Sequence, residues 1–321
     1  MVDITDRIKT IRDMVDSGKY LCVNRARQYG KTTTLFALER ILSEKYYVVS
    51  MDFQDYGAET FQDADSFCRD FIDEFCALLS KRAEPCTGDL EGAIQELAAM
   101  SENYDRELRL FTMFKGIKRV WDASDKPIVL FIDEVDSATN NQLFIDFLAI
   151  LRSHYLKRQK EPEYRTFQSV ILAGVTDVKH LKSKIRDEAN AKENSPWNIA
   201  ADFAIDMSLP EDGIRGMLDE YEADHHTGMN IEAISRKIRE YTNGYPFLVS
   251  RICELIDTNV AKKFGSEKSA WTDQGLDEAI RLILSESNTL FDSLTSKLNN
   301  YPDIKSSLRS MLMEGAKLAY N

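Results

Sequence analysis

The stretch that decides the fold is LCVNRARQYGKT, residues 21–32. A short apolar run, Leu21–Val23, leads into a loop that ends in Gly30-Lys31-Thr32, and a helical pattern follows over Thr33–Leu42. The loop is similar to the P-loop (Walker A) motif G-x-x-x-x-G-K-[ST], although Arg25 stands where that motif has its first glycine. In such a loop the glycine lets phosphate approach the backbone, the lysine contacts the β- and γ-phosphates, and the threonine hydroxyl binds Mg²⁺. The strand before it and the helix after it favour a phosphate-binding loop, because the helix adds its positive dipole end to the same site.

A second apolar run, Pro127–Ile132, ends in the acidic pair Asp133-Glu134. An uninterrupted apolar run predicts a strand that is buried on both faces of a parallel sheet. The two acids then stand at the carboxyl end of that strand, which is where open α/β sheets bind ligands. As in a Walker B motif, we expect Asp133 to hold the Mg²⁺ that Thr32 also contacts, and Glu134 to orient and deprotonate an attacking water. The alternative is that the two acids merely open the next loop.

Composition excludes several classes of protein. At 321 residues, the chain is long enough for a sizeable core and for two or three modules. No apolar run reaches the length of a membrane span, and the amino terminus has no signal-peptide character. We therefore expect no membrane partner. The five cysteines are scattered without zinc-binding or disulfide spacing, which predicts a protein of the reducing cytoplasm. A net charge of −12 argues against binding nucleic acid through the whole surface, while a local basic patch stays open.

Strands alternate with helices as far as about residue 208, which predicts an α/β fold with a parallel sheet covered by helices on both faces. The order of the strands stays open, because two helices separate the second strand from the third. The predicted strands are Tyr20–Asn24, Tyr46–Phe53, Pro127–Ile132, Gln168–Gly174 and a short fifth at Phe203–Met207. The predicted helices between them are Thr33–Leu42, Ala64–Arg82, Tyr104–Trp121 and Asn140–Lys157.

Beyond Pro210 the pattern is helical only. The predicted helices there are Glu211–Ala223, Ile231–Thr242, Phe247–Lys263, Leu276–Ser287, Asn288–Leu298 and Ile304–Met313. The adjacent histidines His225 and His226 are expected to be a surface pair and not metal ligands. Neighbouring residues on a helix point in different directions, and no cysteine or carboxylate cluster joins them with ligand spacing.

Residues 24–34, NRARQYGKTTT, resemble the arginine-bearing P-loop of the bacterial AAA-like ATPase family, which is related to STAND and origin-recognition-type ATPases. Four further stretches are similar and follow in the family's order: FIDEVD (131–136), ILAGV (171–175), NSPWNIA (194–200) and GYPFL (244–248). The resemblance extends over roughly residues 1 to 315. It implies a P-loop ATPase core over residues 1–209 and a helical lid over residues 210–270. Residues 271–321 would then form a helical C-terminal segment that begins a winged helix.

The resemblance also bears on partners. Family members often continue into a winged helix and a restriction-type nuclease domain, so DNA is implied as a partner by resemblance alone. The same resemblance implies that the chain would be a fragment or a short form. Oligomeric relatives imply a homo-oligomer, in which one copy acts on the nucleotide of the next. ATP is preferred over GTP by resemblance, and the guanine-specific motif Asn-Lys-x-Asp is absent from the sequence.

The resemblance assigns roles that spacing alone does not. Thr176 (or Asp177) would be the sensor nearest the γ-phosphate, or else a turn residue. Pro246 would lie near the adenine, or else serve only as the first proline of a helix. Arg251 would reach the phosphates from the lid, or else be a surface arginine. The residues expected to bind ATP are Arg25, Arg27, Gln28, Tyr29, Gly30, Lys31, Thr32, Thr33, Thr176, Pro246 and Arg251.

Three arginines carry further alternatives. Arg25 and Arg27 either contact phosphate or only hold the loop in shape. Arg186 ends the densest basic run, Lys179–Arg186, where oligomeric relatives place an arginine finger. Such a finger is worth a factor of about 10³–10⁵ in rate, and the alternative is a solvated helix face or a modest polyanion contact.

Two functions are consistent with the sequence. The first is a Mg²⁺-dependent ATPase in which Glu134, Lys31 and Arg186 are catalytic and hydrolysis changes the position of the lid or of a partner. The second is a nucleotide-gated interaction module that binds ATP with little turnover. Glu134 favours the first, since a protein that only binds ATP does not need a water-activating carboxylate.

Overall fold

A computed structural model of the chain describes residues 4–57, 59–83, 86, 88–175, 197–201, 205–286 and 289–314. The chain divides into two compact units, one comprising Ile4–Met207 and the other beginning at Ser208. Within the described residues, no helix has both the length and the apolar character that crossing a membrane requires. The predicted boundaries at residues 209 and 270 stay predictions.

The first unit is built on a parallel sheet, which confirms the predicted α/β fold. Its strands in the described residues are β1 (Leu21–Asn24), β2 (Tyr47–Asp52), β3 (Ile128–Asp133) and β4 (Ser169–Gly174). Their order across the sheet is β1-β4-β3-β2, and all of the pairings are parallel. Strand β4 therefore lies between β1, which leads into the phosphate loop, and β3, which carries the acidic pair.

Strand β3 shows why the sheet must be covered on both faces. Every residue of β3 is buried. Ile128, Leu130 and Ile132 belong to one apolar core, whereas Val129 and Phe131 belong to the core on the other face. Successive strand residues point to opposite faces, so an uninterrupted apolar strand fills two cores at once.

Six helices of the first unit are α1 (Thr5–Asp16), α2 (Lys31–Leu42), α3 (Ala64–Arg82), α4 (Gly88–Glu102), α5 (Leu110–Ala123) and α6 (Gln142–Lys160). Helix α1 was not among the predicted elements. Its buried residues Ile8, Ile11 and Val15 follow helical spacing and join the same core as β1.

The predicted helix Tyr104–Trp121 is wrong in its first part, because α5 begins only at Leu110, and α4, which was not predicted, ends at Glu102. Arg69 on α3 explains the break: its guanidinium donates hydrogen bonds to the carbonyls of Ser101, Asn103 and Arg106. These bonds satisfy carbonyls at and beyond the end of α4, which a continuing helix would have used itself.

The predicted fifth strand, Phe203–Met207, is also corrected. Ile205–Met207 lie outside any strand, and residues 202–204 fall outside the described residues. The contact along this edge is instead an isolated parallel bridge between Leu21 and Ala201, in which the Ala201 N–H donates to the Tyr20 carbonyl at 2.8 Å.

The second unit is helical, as predicted. Its helices are α7 (Glu211–His225), α8 (Ile231–Thr242), α9 (Pro246–Leu255), α10 (Ala261–Phe264), α11 (Glu267–Ala270), α12 (Asp273–Ser285), α13 (Thr289–Asn300) and α14 (Pro302–Glu314). The predicted helix Phe247–Lys263 is interrupted, since a π-helical turn, Ile256–Val260, separates α9 from α10. The core of this unit gathers apolar side chains from α7 to α12, among them Ile214, Ile238, Ile252 and Trp271.

Candidate functional site

The phosphate loop joins β1 to α2 and takes its sharp turns at Gln28 and Gly30. Gly30 has φ 77° and stands immediately before α2, and Gln28 has φ 58°. Among the described residues other than glycine, positive φ occurs at Gln28, Glu134, His226 and Asn243. Arg25 therefore has an ordinary backbone conformation, which explains how arginine can replace the first glycine of the motif.

The Arg25 side chain bonds to the protein backbone. Its Nη1 donates to the Asn24 carbonyl at 2.9 Å and its Nη2 to the Ile205 carbonyl at 2.7 Å. Its own backbone N–H donates to the Gly174 carbonyl at 3.1 Å. These contacts favour the interpretation in which Arg25 holds the loop in shape.

The other residues of the loop differ in exposure. Arg27, Gln28 and Thr33 are exposed. Tyr29 is half-buried and packs against the core that contains β1.

Lys31 and Thr32 open α2 and face the acidic end of β3. Lys31 is only 6% exposed, and its Nζ donates to the Arg25 and Ala26 carbonyls at 3.2 and 3.3 Å. The Thr32 hydroxyl donates to Asp133 Oδ2 at 2.8 Å, across 101 positions of sequence. The two residues predicted to bind metal are thus in direct contact. A hydroxyl and a carboxylate are hard oxygen donors of the kind that Mg²⁺ prefers, so the donor set fits this ion.

Glu134 follows β3 with a left-handed backbone, at φ 49°. Its backbone N–H donates to Asp133 Oδ1 at 2.9 Å. Burial raises the pKa of the Glu134 carboxyl, the charge of Lys31 lowers it, and the charges of Asp133, Asp136 and Asp52 raise it further; the net direction is upward. A raised pKa makes a carboxylate a stronger proton acceptor, which is what activation of water requires.

Asp136 is a site residue whose role the sequence did not reveal. Its Oδ2 accepts a hydrogen bond at 2.6 Å from the N–H of Val175, directly after β4. Asp136 thereby ties the loop after β3 to the loop after β4. The sequence shows Asp136 as a third acid in FIDEVD, but it does not show that Val175 is the hydrogen-bond partner of this acid.

The remaining predicted residues either fall outside the described residues or belong to the second unit. Thr176, Asp177 and Arg186 lie outside the described residues. Pro246 and Arg251 belong to the second unit. Pro246 is the first residue of α9, and Arg251 pairs with Glu254 at 2.8 Å and with Glu286 at 3.0 Å. Their contacts with nucleotide stay predictions.

Comparison with known proteins gives three findings. The profile of the AAA-like domain family matches residues 5–275. A curated relative, an uncharacterized WD repeat-containing protein of Synechocystis sp., is 26% identical over 250 residues, covering 75% of this chain and 18% of the relative. The chain thus spans about a fifth of that relative's length. A Walker-type ATPase of Pyrococcus abyssi has a similar fold, with a TM-score of 0.52, 14% sequence identity, and coverage of 97% of this chain and 79% of the other.

Proposed function

Because this chain belongs to the AAA-like domain family, we propose that it binds Mg²⁺-ATP in its phosphate loop and hydrolyses the bond between the β- and γ-phosphates. The observation that carries the proposal is the contact of Thr32 with Asp133 at 2.8 Å. That contact joins the phosphate loop to the acidic end of β3, beside a buried lysine and a carboxylate with a raised pKa.

Phosphate binding is the task of the loop and of the first turn of α2. The N-terminus of a helix presents free N–H groups and a partial positive charge, which together attract an anion. Lys31 adds a full positive charge, held by two carbonyls of the same loop. A phosphate oxygen is a stronger partner for an ammonium group than a neutral carbonyl, so we expect Lys31 to transfer to the nucleotide.

Thr32 and Asp133 would hold Mg²⁺, because their oxygens lie together where the β- and γ-phosphates are expected. The ion, when bound, neutralises charge that develops on the phosphate oxygens. In the structure described here the Thr32 hydroxyl donates to Asp133, and this hydrogen bond keeps both side chains aimed at one point.

Glu134 would accept the proton of the attacking water. The water oxygen forms a bond to the γ-phosphorus, the bond from that phosphorus to the bridging oxygen breaks, and ADP leaves with the electron pair. Burial and the neighbouring acids raise the pKa of Glu134, which favours its acceptance of this proton. The charge of Lys31 lowers the same pKa and so limits the rise. The proposed cycle is coupled to the second unit, where Pro246 and Arg251 would respond to the nucleotide as parts of a lid.

The test is steady-state phosphate release together with ATP affinity, measured on the parent, Glu134→Gln and Lys31→Ala. We expect Glu134→Gln to bind ATP and to lose a factor of about 10²–10⁴ in turnover, since it lacks the base. Lys31→Ala should lose ATP binding. Glu44→Gln is the matched control, because Glu44 is an exposed acid just beyond the C-terminal end of α2. This variant should behave like the parent.

The outcomes separate the two functions. A parent that binds ATP without measurable phosphate release would support the nucleotide-gated module. A Glu134→Gln variant as active as the parent would remove Glu134 as the base. Absence of ATP binding in the parent would overturn both.

A further inference from the structure

The second unit has a cluster of metal-ligating side chains that the proposed ATPase does not use. His225 ends α7, Asp257 lies in the π-helical turn, and Glu267 begins α11. One ligand atom from each of these residues lies within 4.8 Å of the other two. His225 Nδ1 and Glu267 Oε2 are already 3.0 Å apart. We propose that His225, Asp257 and Glu267 form a binding site for Zn²⁺.

Tyr221 orients two of the three ligands. Its ring stacks on the His225 imidazole, with centroids 3.9 Å apart and planes 5° apart. Its hydroxyl donates a hydrogen bond to Asp257 Oδ1. A partner that fixes both the ring and the carboxylate is the kind of support that metal ligands receive in proteins.

The π-helical turn places Asp257. A turn of this type shifts the register of a helix, and such turns are frequent at functional sites. Trp271 also contacts the Tyr221 ring, at 4.9 Å between centroids, and is buried in the core of the unit. The cluster is therefore built on packed helices and not on an exposed loop.

Chemistry favours zinc. The ligand set of one imidazole and two carboxylates suits Zn²⁺ better than Mg²⁺, which prefers oxygen alone. When the imidazole is neutral, the cluster carries two negative charges, and a divalent cation neutralises them. A simple His225–Glu267 ion pair would not require Asp257, whose approach adds a second negative charge. Three protein ligands leave one coordination position open to water.

The test is zinc titration of the full chain, freed of metal and nucleotide, against a chromophoric chelator. We expect the parent to bind one equivalent of Zn²⁺. His225→Ala and Asp257→Asn should each weaken binding by about 100-fold or more, because loss of a mere supporting group already costs 10–100-fold. Tyr221→Phe keeps the stacked ring but removes the hydroxyl, so we expect a loss of about 10-fold.

His226→Asn is the matched control. His226 is the next residue in sequence and has a left-handed backbone, φ 50°, which asparagine tolerates well. This variant should bind zinc like the parent. Equal affinities in the parent, His225→Ala and Asp257→Asn would overturn the proposal and indicate binding elsewhere, for example at the cysteines. A parent that binds no zinc would overturn it directly. Because nucleotide is absent from the assay, neither result depends on ATP hydrolysis.

Discussion

Glu134 stands where burial and three neighbouring carboxylates oppose its ionisation and where Lys31 favours it. The folded chain therefore holds the proton of this carboxyl to a higher pH than the ordinary value of 4.5. Only the ionised form can accept a proton from water. We predict that kcat for ATP hydrolysis falls on acidification with an apparent pKa above 4.5. The measurement is kcat at saturating ATP across the acidic range, and a midpoint at or below the ordinary value would contradict the assignment.

The Arg25 guanidinium donates to two backbone carbonyls, that of the adjacent residue Asn24 and that of Ile205, which is distant in sequence. We predict that Arg25→Ala lowers the free energy of unfolding of the first unit by about 1–2 kcal/mol, since it removes charge-assisted bonds from a partly exposed group. Arg25→Lys should not restore it, because a single ammonium cannot reproduce the two-pronged guanidinium geometry. Urea denaturation of both variants is the measurement, and Arg27→Ala, which changes an exposed loop arginine, is the comparison. Parent-like stability of Arg25→Ala would show that these bonds contribute nothing.

The residues of the candidate site differ in whether nearby sequence or a distant partner decides their contacts. Lys31, Thr32 and Asp133 could be predicted, because the motif and the strand end that place them are contiguous in sequence. The partners of Arg25 could not, since Ile205 is 180 positions away. Asp136 was visible as an acid, but its partner Val175 depends on β4 lying beside β3, and the sequence left the strand order open.

Strand β4 ends at a glycine that packs closely against the loop after β3. A Cβ atom at Gly174 would lie 2.8 Å from Val135 Cγ2 and 3.0 Å from Asp136 Oδ2. We predict that Gly174→Ala destabilises the first unit by about 1–3 kcal/mol through overpacking. Thermal unfolding is the measurement.

Gly216 provides the matched control for this substitution. It lies within α7, and an added Cβ there would meet no atom within 4 Å. Gly216→Ala should leave stability unchanged or raise it by up to about 1 kcal/mol, because alanine favours a helix over glycine. Equal effects of the two substitutions would show that the space around Gly174 is less confined than the structure indicates.

Helices and strands could be predicted where the local sequence pattern determines their bounds. They were missed or misplaced where contacts with distant residues determine those bounds. Strand β3 could be read from its apolar run, and α3 has the predicted bounds. Helix α4 was not predicted, and the break between α4 and α5 could not be found, because it depends on a side chain of α3, Arg69. The π-helical turn at Ile256–Val260 could not be predicted, because it contains no glycine or proline and the apolar spacing of the helix continues through it.

The two compact units of the molecule have separate buried cores. We predict two transitions in calorimetric unfolding, because each core can be lost without the other. Mg²⁺-ATP should raise the free energy of unfolding of the first unit by about 2.7 kcal/mol when free ligand is 100 times Kd. In Lys31→Ala that shift should vanish while both transitions remain. A single transition that moves as a whole with ATP would contradict this division of the chain.

One amide plane joins the two halves of the phosphate site. The Gly174 carbonyl accepts from the backbone of Arg25, and the N–H of the same peptide group, on Val175, donates to Asp136. This peptide group links the loop after β1 to the loop after β3, and the link is rigid because the peptide group is planar. A rotation of that plane would strain both hydrogen bonds at once. The peptide group therefore couples the position of the loop that carries Lys31 to the position of the loop that carries Glu134.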